Sequence, residues 1–318
     1  MSQNNHKNDD SSGKANSIDM RLLSIFITVV ECGGFTQAQE PLNIALSSIS
    51  TYIQDLETRL GLKLCNRGRG GFSLTENGQY VYKEALKLFQ SVDQFNANLA
   101  GLNGKLIGEL KIGILDNSTM SPSTRIPEVI HDFSLKHPQV HIVIKVLSSE
   151  EIEDELSAGT LHLGIGIFPE SKKNLRVIDS FPITVDLFCG NLSELYSSPV
   201  ANSDFDLKLI QSSGYAKGCY SPDFKSKLGQ LLPQATASSY LSEGLAFLIM
   251  SGRYVGVLPR RYAANWVSNG EMKALPQENF SHEVQLALVV CKGVSIGPVL
   301  EGFLTSFASF TDEDVTMD

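Results

Sequence analysis

Residues 33–78 read GGFTQAQEPLNIALSSISTYIQDLETRLGLKLCNRGRGGFSLTENG. Within this stretch Ile49, Ile53, Leu56 and Leu60 recur at spacings of four, three and four, which is the apolar stripe of one α-helix over residues 46–60. The opposite side of that helix carries Ser47, Ser48, Thr51, Tyr52, Gln54 and Asp55, a face of hydrogen-bonding groups. Upstream, Thr36 with Gln39 three residues on fits a capping box that opens a short helix running to Leu42. Pro41 sits awkwardly inside it, because proline lacks a donor and clashes one turn back. Residues 43–45 form the turn between the two. Two short helices around a tight turn, the second with an exposed polar face, make a helix-turn-helix. Downstream, residues 62–74 are two short alternating runs around a Gly/Arg turn. That pattern suits a β-hairpin wing, with Arg67 and Arg69 placed to meet phosphates or a minor groove. A plain solvated hairpin is the alternative.

The flanks extend this unit on both sides. Residues 20–30, MRLLSIFITVV, are apolar enough for a buried helix, which Gly33-Gly34 stops. After Thr75, an N-cap candidate, no breaker appears between Gln79 and Ala100. Val81, Ala85, Leu88, Val92, Phe95, Leu99 and Leu102 alternate at spacings of four and three, an a/d seam kept for three heptads. Burial against the molecule's own domains is one reading. Dimerisation is favoured, since a helix joining two domains has little else to pack on. Residues 1–17 are polar, lack the apolar core of a signal peptide, and read as a disordered tail.

Taken together, these elements resemble the winged helix-turn-helix of LysR-type transcriptional regulators. The matching positions are Phe35-Thr36, Ala38, Leu42, Ile49-Ser50, Ile53, Leu56-Glu57, Leu60-Gly61, Leu64, Arg67 and Leu74-Thr75-Glu76 with Gly78. Where the family commonly has Gln-Pro at the start of the reading helix and Arg one turn later, this chain has Leu46-Ser47 and Thr51. The resemblance implies promoter DNA as a partner, contacted by Thr36, Ser47, Ser48, Thr51, Tyr52, Arg67 and Arg69. It also implies self-association, as a dimer or tetramer, through Val81, Ala85, Leu88, Val92, Phe95 and Leu99 of the linker helix.

From Glu109 onward the texture changes to alternating strands and helices. Strand-like runs cover residues 110–115, 140–146, 161–168, 183–189, 207–210, 254–258 and 284–291, with amphipathic stretches at 126–136, 150–157 and 240–250. Such alternation implies α/β layers with mainly parallel pairing. The region resembles the two-lobed periplasmic-binding-protein-like effector domain of the same family. The expected organisation is a tail at 1–17, an all-α winged helix-turn-helix at 18–76 and a linker helix at 77–105. The α/β effector domain then covers 106–318, lobe I being 106–168 and 282–318 and lobe II 169–281. Ligands in such folds bind at the carboxyl ends of strands, beside helix N-termini. Ser118, Thr119, Ser149, Phe168, Ser212 and Ser239 lie in those loops. Hydroxyls beside helix N-termini suit a small carboxylate or polar organic effector, although each Ser or Thr is equally an N-cap candidate. His162 stands where the family often has Asp, and is either a ligand contact or a core residue.

Charge sharpens the division. The chain of 318 residues carries 26 Lys+Arg against 35 Asp+Glu, a net −9 that, taken whole, argues against a nucleic-acid binder. Residues 1–105, however, hold ten of each, so the whole excess belongs to residues 106–318. No apolar run is long enough to span a bilayer, so no membrane partner is expected and the cytoplasm is the simplest location. The five cysteines are scattered without a C-x-x-C pair, which argues against a disulfide framework or zinc site. His131, His137 and His141 fall in different elements, and residues 150–155 read as a solvated helix face rather than a cation site. No phosphate-loop, dinucleotide, zinc-protease or nucleophile-elbow motif occurs, so neither a cofactor nor catalysis is expected. The competing functions are a small-molecule-binding protein without gene control and an enzyme on a periplasmic-binding-protein-like fold. The first has no use for residues 18–102, and the second needs acid/base pairs where the loops offer mostly hydroxyls.

Overall fold

The structure, a computed structural model, describes residues 19–66, 71–101, 106–118, 124–168, 174–197, 203–222, 226–275, 280–293 and 296–312. It forms two compact units, Met1–Ser91 and Val92–Asp318, and the division falls inside one long helix.

The first unit holds α1 (Met20–Glu31), α2 (Gln39–Leu42), α3 (Leu46–Leu60), β1 (Cys65–Asn66), β2 (Ser73–Leu74) and the start of α4 (Glu76–Gly101). Asp19 caps α1 by accepting from the Arg21 N–H at 2.9 Å. Leu22, Leu23, Ile25, Phe26 and Val29 of α1 are buried in one cluster with Ile49, Ile53 and Leu56 of α3. Each such side chain contributes about 1.5–3 kcal/mol by leaving water. Gly61 ends α3 in the left-handed region (φ 66°) that only glycine enters cheaply. β1 and β2 pair antiparallel, Cys65 opposite Leu74 and Asn66 opposite Ser73. This is the expected hairpin; its tip, with Arg67 and Arg69, lies outside the described residues.

The capping expectation at Thr36 is corrected. α2 begins at Gln39, and the Gln39 Nε2 donates to the Thr36 carbonyl at 3.1 Å, whereas a capping box would have the Gln39 side-chain oxygen accept from the Thr36 N–H. The later start also accounts for Pro41, which now occupies the first turn, where an N–H has no intrahelical acceptor. Gln39 Oε1 accepts from the Leu46 N–H at 3.2 Å, so one side chain bridges the turn and caps the next helix.

Thr75 caps α4 as expected, accepting from the Gly78 N–H at 2.9 Å while donating to the Lys63 carbonyl at 2.6 Å. A Cβ on Gly78 would stand 2.0 Å from the Leu64 carbonyl oxygen, so α4 passes the hairpin at a distance only glycine allows. The a/d seam divides along its length. Ala85 is buried in the first unit's core and Val81 packs against it, whereas Leu88, Val92, Phe95 and Leu99 are 37%, 37%, 60% and 47% exposed.

The second unit opens with β3 (Gly108–Ile114), α5 (Ile126–Lys136), β4 (Val140–Val146), α6 (Ser149–Ala158) and β5 (Leu163–Gly166). The long strand β6 (Leu175–Gly190) leads into α7 (Glu194–Ser197), α8 (Ser203–Ser212), β7 (Gly214–Lys217), α9 (Lys227–Leu231), β8 (Ala235–Ser238) and α10 (Ser242–Met250). Then follow β9 (Tyr254–Pro259), α11 (Arg260–Ser268), β10 (Met272–Ala274), β11 (His282–Cys291) and α12 (Pro298–Asp312). Among the described residues the sheet runs β4-β3-β5-β11-β6-β9-β7-β8, with β10 beside β6. β3 is parallel to β4 and β5, and β7 is parallel to β8 and β9.

The expectation of mainly parallel pairing holds only for those outer groups. β6 and β11 run antiparallel from Leu175–Cys291 to Val185–His282, and β6 then continues antiparallel to β9. The chain thus crosses between lobes on extended strands. Apolar runs such as 183–189 look alike in sequence whichever way their neighbours point. The strand expected at 207–210 is also corrected: these residues belong to α8, and the strand is β7. A four-residue apolar run does not distinguish a buried helical turn from a strand.

Candidate nucleic-acid interface and ligand cleft

The polar side of α3 is built by what its other side buries. Ile49, Ile53 and Leu56 are fully buried, which turns Ser47 and Thr51 outward as exposed residues and leaves Ser48 half-buried at the edge. The Thr51 hydroxyl donates to the Ser47 carbonyl at 3.0 Å, so its lone pairs and methyl group remain for a partner. Tyr52 is half-buried on the flank next to α1: the Arg21 guanidinium lies 5.2 Å from its ring centroid and donates to its hydroxyl at 3.4 Å. Thr36 is exposed in the turn before α2. On the other flank Glu57 Oε1 accepts from the backbone N–H groups of Leu64 (2.7 Å) and Cys65 (3.1 Å), fixing the hairpin to α3. The sequence marks Glu57 as part of the pattern without indicating this role.

In the second unit the turn after β3 meets the segment after β7 and the start of α10, the place of the candidate ligand cleft. The turn after β3 contains Asp116, whose carboxylate accepts from the Ser242 N–H at the start of α10 (2.6 Å), and whose carbonyl oxygen accepts from the Tyr220 hydroxyl. One residue of lobe I is therefore tied to two elements of lobe II. Asn117 follows in the left-handed conformation (φ 61°), which Asn tolerates better than most residues. Its Nδ2 is buried beside the Tyr262 hydroxyl, and the Ser242 Oγ is buried beside the Cys219 thiol. Burial pushes the Cys219 thiol up to about 11 and the Tyr220 hydroxyl higher still, with Asp116 adding to both, so both stay protonated at neutral pH. Burial likewise raises Tyr262, reinforced by Asp116 and Glu243. These buried polar groups, gathered around the Asp116 turn, make it the candidate ligand site.

The six effector-site expectations are distributed unevenly around this cleft. Ser118 is buried in the Asp116 turn. Ser149 opens α6 and accepts from the Ile167 N–H at 3.3 Å; the N-cap there is Ser148, in a capping box with Glu151. Phe168 packs against the apolar cluster of Ile152, Leu156 and Leu161. Ser239 follows β8 and donates to the Leu241 carbonyl at 2.7 Å. Ser212 lies at the opposite end of β7, bonded back to the Leu209 carbonyl of its own helix, a consequence of the misplaced strand. Thr119 lies outside the described residues. Sequence reasoning missed Tyr220, Ser242 and Tyr262, and included Asp116 only within a loop; Asp116 is the one charged residue in the run 116–124, which was a usable signal.

His162 precedes β5, at the end away from the cleft. Its Nδ1 accepts from the Lys111 N–H at 2.9 Å while the His162 backbone N–H donates to the Lys111 carbonyl, and burial, helped by Lys111, lowers its pKa to about 4. It is a neutral structural link. Among the described residues no cluster of three or more His, Cys, Asp or Glu is arranged for a metal ion, and no helix is long and apolar enough to cross a membrane.

Comparison with known proteins matches residues 20–79 to the bacterial regulatory helix-turn-helix protein, lysR family, and residues 103–311 to the LysR substrate binding domain. The chain is 34% identical over 298 residues to the HTH-type transcriptional activator BauR of Pseudomonas aeruginosa, covering 94% of this chain and 97% of that one. It is 25% identical over 267 residues to the HTH-type transcriptional activator AaeR of Escherichia coli, covering 80% and 82%. Among solved structures, full-length CbnR complexed with its target DNA superposes with a TM-score of 0.61 at 19% identity, over 92% of this chain and 99% of that one.

Proposed function

The chain belongs to the LysR family and is a DNA-binding transcriptional regulator modulated by a small-molecule effector, and we propose that α3 reads its promoter through Ser47, Ser48 and Thr51 while the Asp116 cleft receives the effector. The observation that carries this reading is the division of α3 into a fully buried stripe and an outward polar face on a helix braced at both flanks. A helix presented in this way fits a major groove, where hydroxyls bond to base edges and a threonine methyl meets thymine. Thr36 adds a hydroxyl beside the turn, and Arg67 and Arg69 contribute wing cations.

For the effector, Asn117 Nδ2 and Ser242 Oγ suit a ligand with hydrogen-bond acceptors. The N-terminus of α10, which would otherwise receive an anion, already holds the Asp116 carboxylate. A ligand bringing only negative charge there meets like charge, so Asp116 restricts simple carboxylates. Self-association uses the exposed part of the seam, Leu88, Val92, Phe95 and Leu99. The protein works in the cytoplasm, where promoter DNA is, and acts by binding rather than catalysis. The test is an electrophoretic mobility shift with the DNA upstream of the protein's own gene and of its neighbours. A retarded complex that competitor DNA of unrelated sequence does not displace is expected; failure to form one with any of these fragments would sink the reading.

A further inference from the structure

We propose that Arg21 contacts a backbone phosphate along the α1-side edge of α3, with Tyr52 as the residue that positions it. The proposal rests on α3 being the DNA-contacting helix. α3 contains a single basic residue, Arg59, and that cation is engaged, with its Nε 3.1 Å and its NH2 2.9 Å from Asp55 Oδ2 and Asp19 4.0 Å away. The outward face of Ser47, Ser48 and Thr51 therefore carries no free positive charge of its own. DNA binding nevertheless needs cations near the groove edges, because phosphate contacts supply most of the sequence-independent affinity.

Arg21 supplies such a cation from the neighbouring helix. It lies in the first turn of α1 and is exposed, and its guanidinium is stacked on the Tyr52 ring at 5.2 Å with a hydrogen bond to the hydroxyl. The nearby Asp19 carboxylate is directed elsewhere, to the Arg21 backbone N–H and towards Arg59. Tyr52 packs on the buried cluster, so the aromatic platform is fixed. It is one helical turn from Ser48 and stands between the buried stripe and the polar face, which places the guanidinium beside the groove-facing residues rather than among them. A planar guanidinium stacked on an aromatic ring keeps several N–H donors in its plane, the geometry that meets a phosphate. The hairpin occupies the other flank of α3, so the two edges of the helix would each meet one strand of the duplex.

The measurement is fluorescence anisotropy of the full-length protein with a random-sequence duplex, which reports phosphate contacts alone, between about 50 and 200 mM salt. Arg21→Ala should lower the slope of log affinity against log salt by about 0.9 for each engaged reading helix, and weaken binding about eightfold per helix at about 0.1 M salt. Arg21→Lys should keep the slope, because the charge remains. Tyr52→Phe should keep the slope and weaken binding by less than Arg21→Ala does. An Arg21→Ala slope equal to that of the wild type overturns the proposal. A lowered thermal midpoint with an unchanged slope overturns it as well, since that is the signature of a purely structural arginine. A wild type that binds no duplex would instead overturn the reading of α3 itself.

Discussion

Glu57 shows how much one side chain organises. Its carboxylate accepts two backbone N–H groups from the start of the hairpin. Glu57→Ala should destabilise the first unit by about 2–4 kcal/mol, because charge-assisted hydrogen bonds contribute about 1.5–3 kcal/mol each and are not additive. Glu57→Gln keeps the acceptor and should lose less than half of that, as read from urea unfolding. His162 makes a prediction about pH. The unfolded chain takes up its proton near 6.5 and the folded chain only near 4. Its contribution is therefore complete above about pH 6.5 and is lost as pH falls toward 4, by up to about 3 kcal/mol. His162→Asn retains an acceptor without titrating in this range, so its stability should fall less than the wild type's between those pH values; parallel declines would contradict the assignment. Sequence alone did not decide His162, because a histidine at the start of a strand looks the same whether it faces a ligand or holds a backbone N–H.

At the scale of elements, α3 was legible almost to the residue, because a stripe spaced four, three and four leaves little freedom over 15 residues. α4 was legible as a helix but not in its division. Periodicity reports that a face is apolar, not what covers it: Val81 and Ala85 meet the first unit's core, whereas Leu88, Val92, Phe95 and Leu99 are exposed. Substitutions should separate the two parts. Phe95→Glu with Leu99→Glu should leave helix content intact and shift the protein to a smaller species in light scattering, since two charges would face their copies across the seam. Ala85→Leu should instead lower thermal stability by about 1–3 kcal/mol through overpacking, with the oligomeric state unchanged. The strand expected at 207–210 and the mainly parallel sheet failed for a related reason. Short apolar runs carry neither helix-versus-strand nor direction information, and both are settled by partners distant in the chain.

At the scale of the whole molecule, the net charge of −9 stops being an objection, because a regulator of this family meets its two ligands with separate units. The first unit is neutral, while the acidic excess lies in the second unit. Effector control is then a coupling free energy between the sites, typically about 1–3 kcal/mol. Asp116 ties the turn after β3 to Ser242 and Tyr220 of the other lobe. Asp116→Asn removes the charge at the α10 N-terminus and should strengthen binding of small carboxylates at least several-fold in a thermal-shift titration, whereas weaker or unchanged binding would remove Asp116 from the proposed selectivity. The cleft was the least legible part of the chain, because its members come from four separated loops and only their folded positions make a site.

The central claim is that the polar face of α3 reads sequence. The most direct measurement compares the affinities of the wild type and of Ser48→Ala with Thr51→Ala for the upstream site and for a random duplex at one salt concentration. With base contacts worth about 1–3 kcal/mol each, the double variant should lose at least about tenfold on the specific site and nothing on the random duplex. Equal losses on both DNAs, or no loss on either, would contradict it.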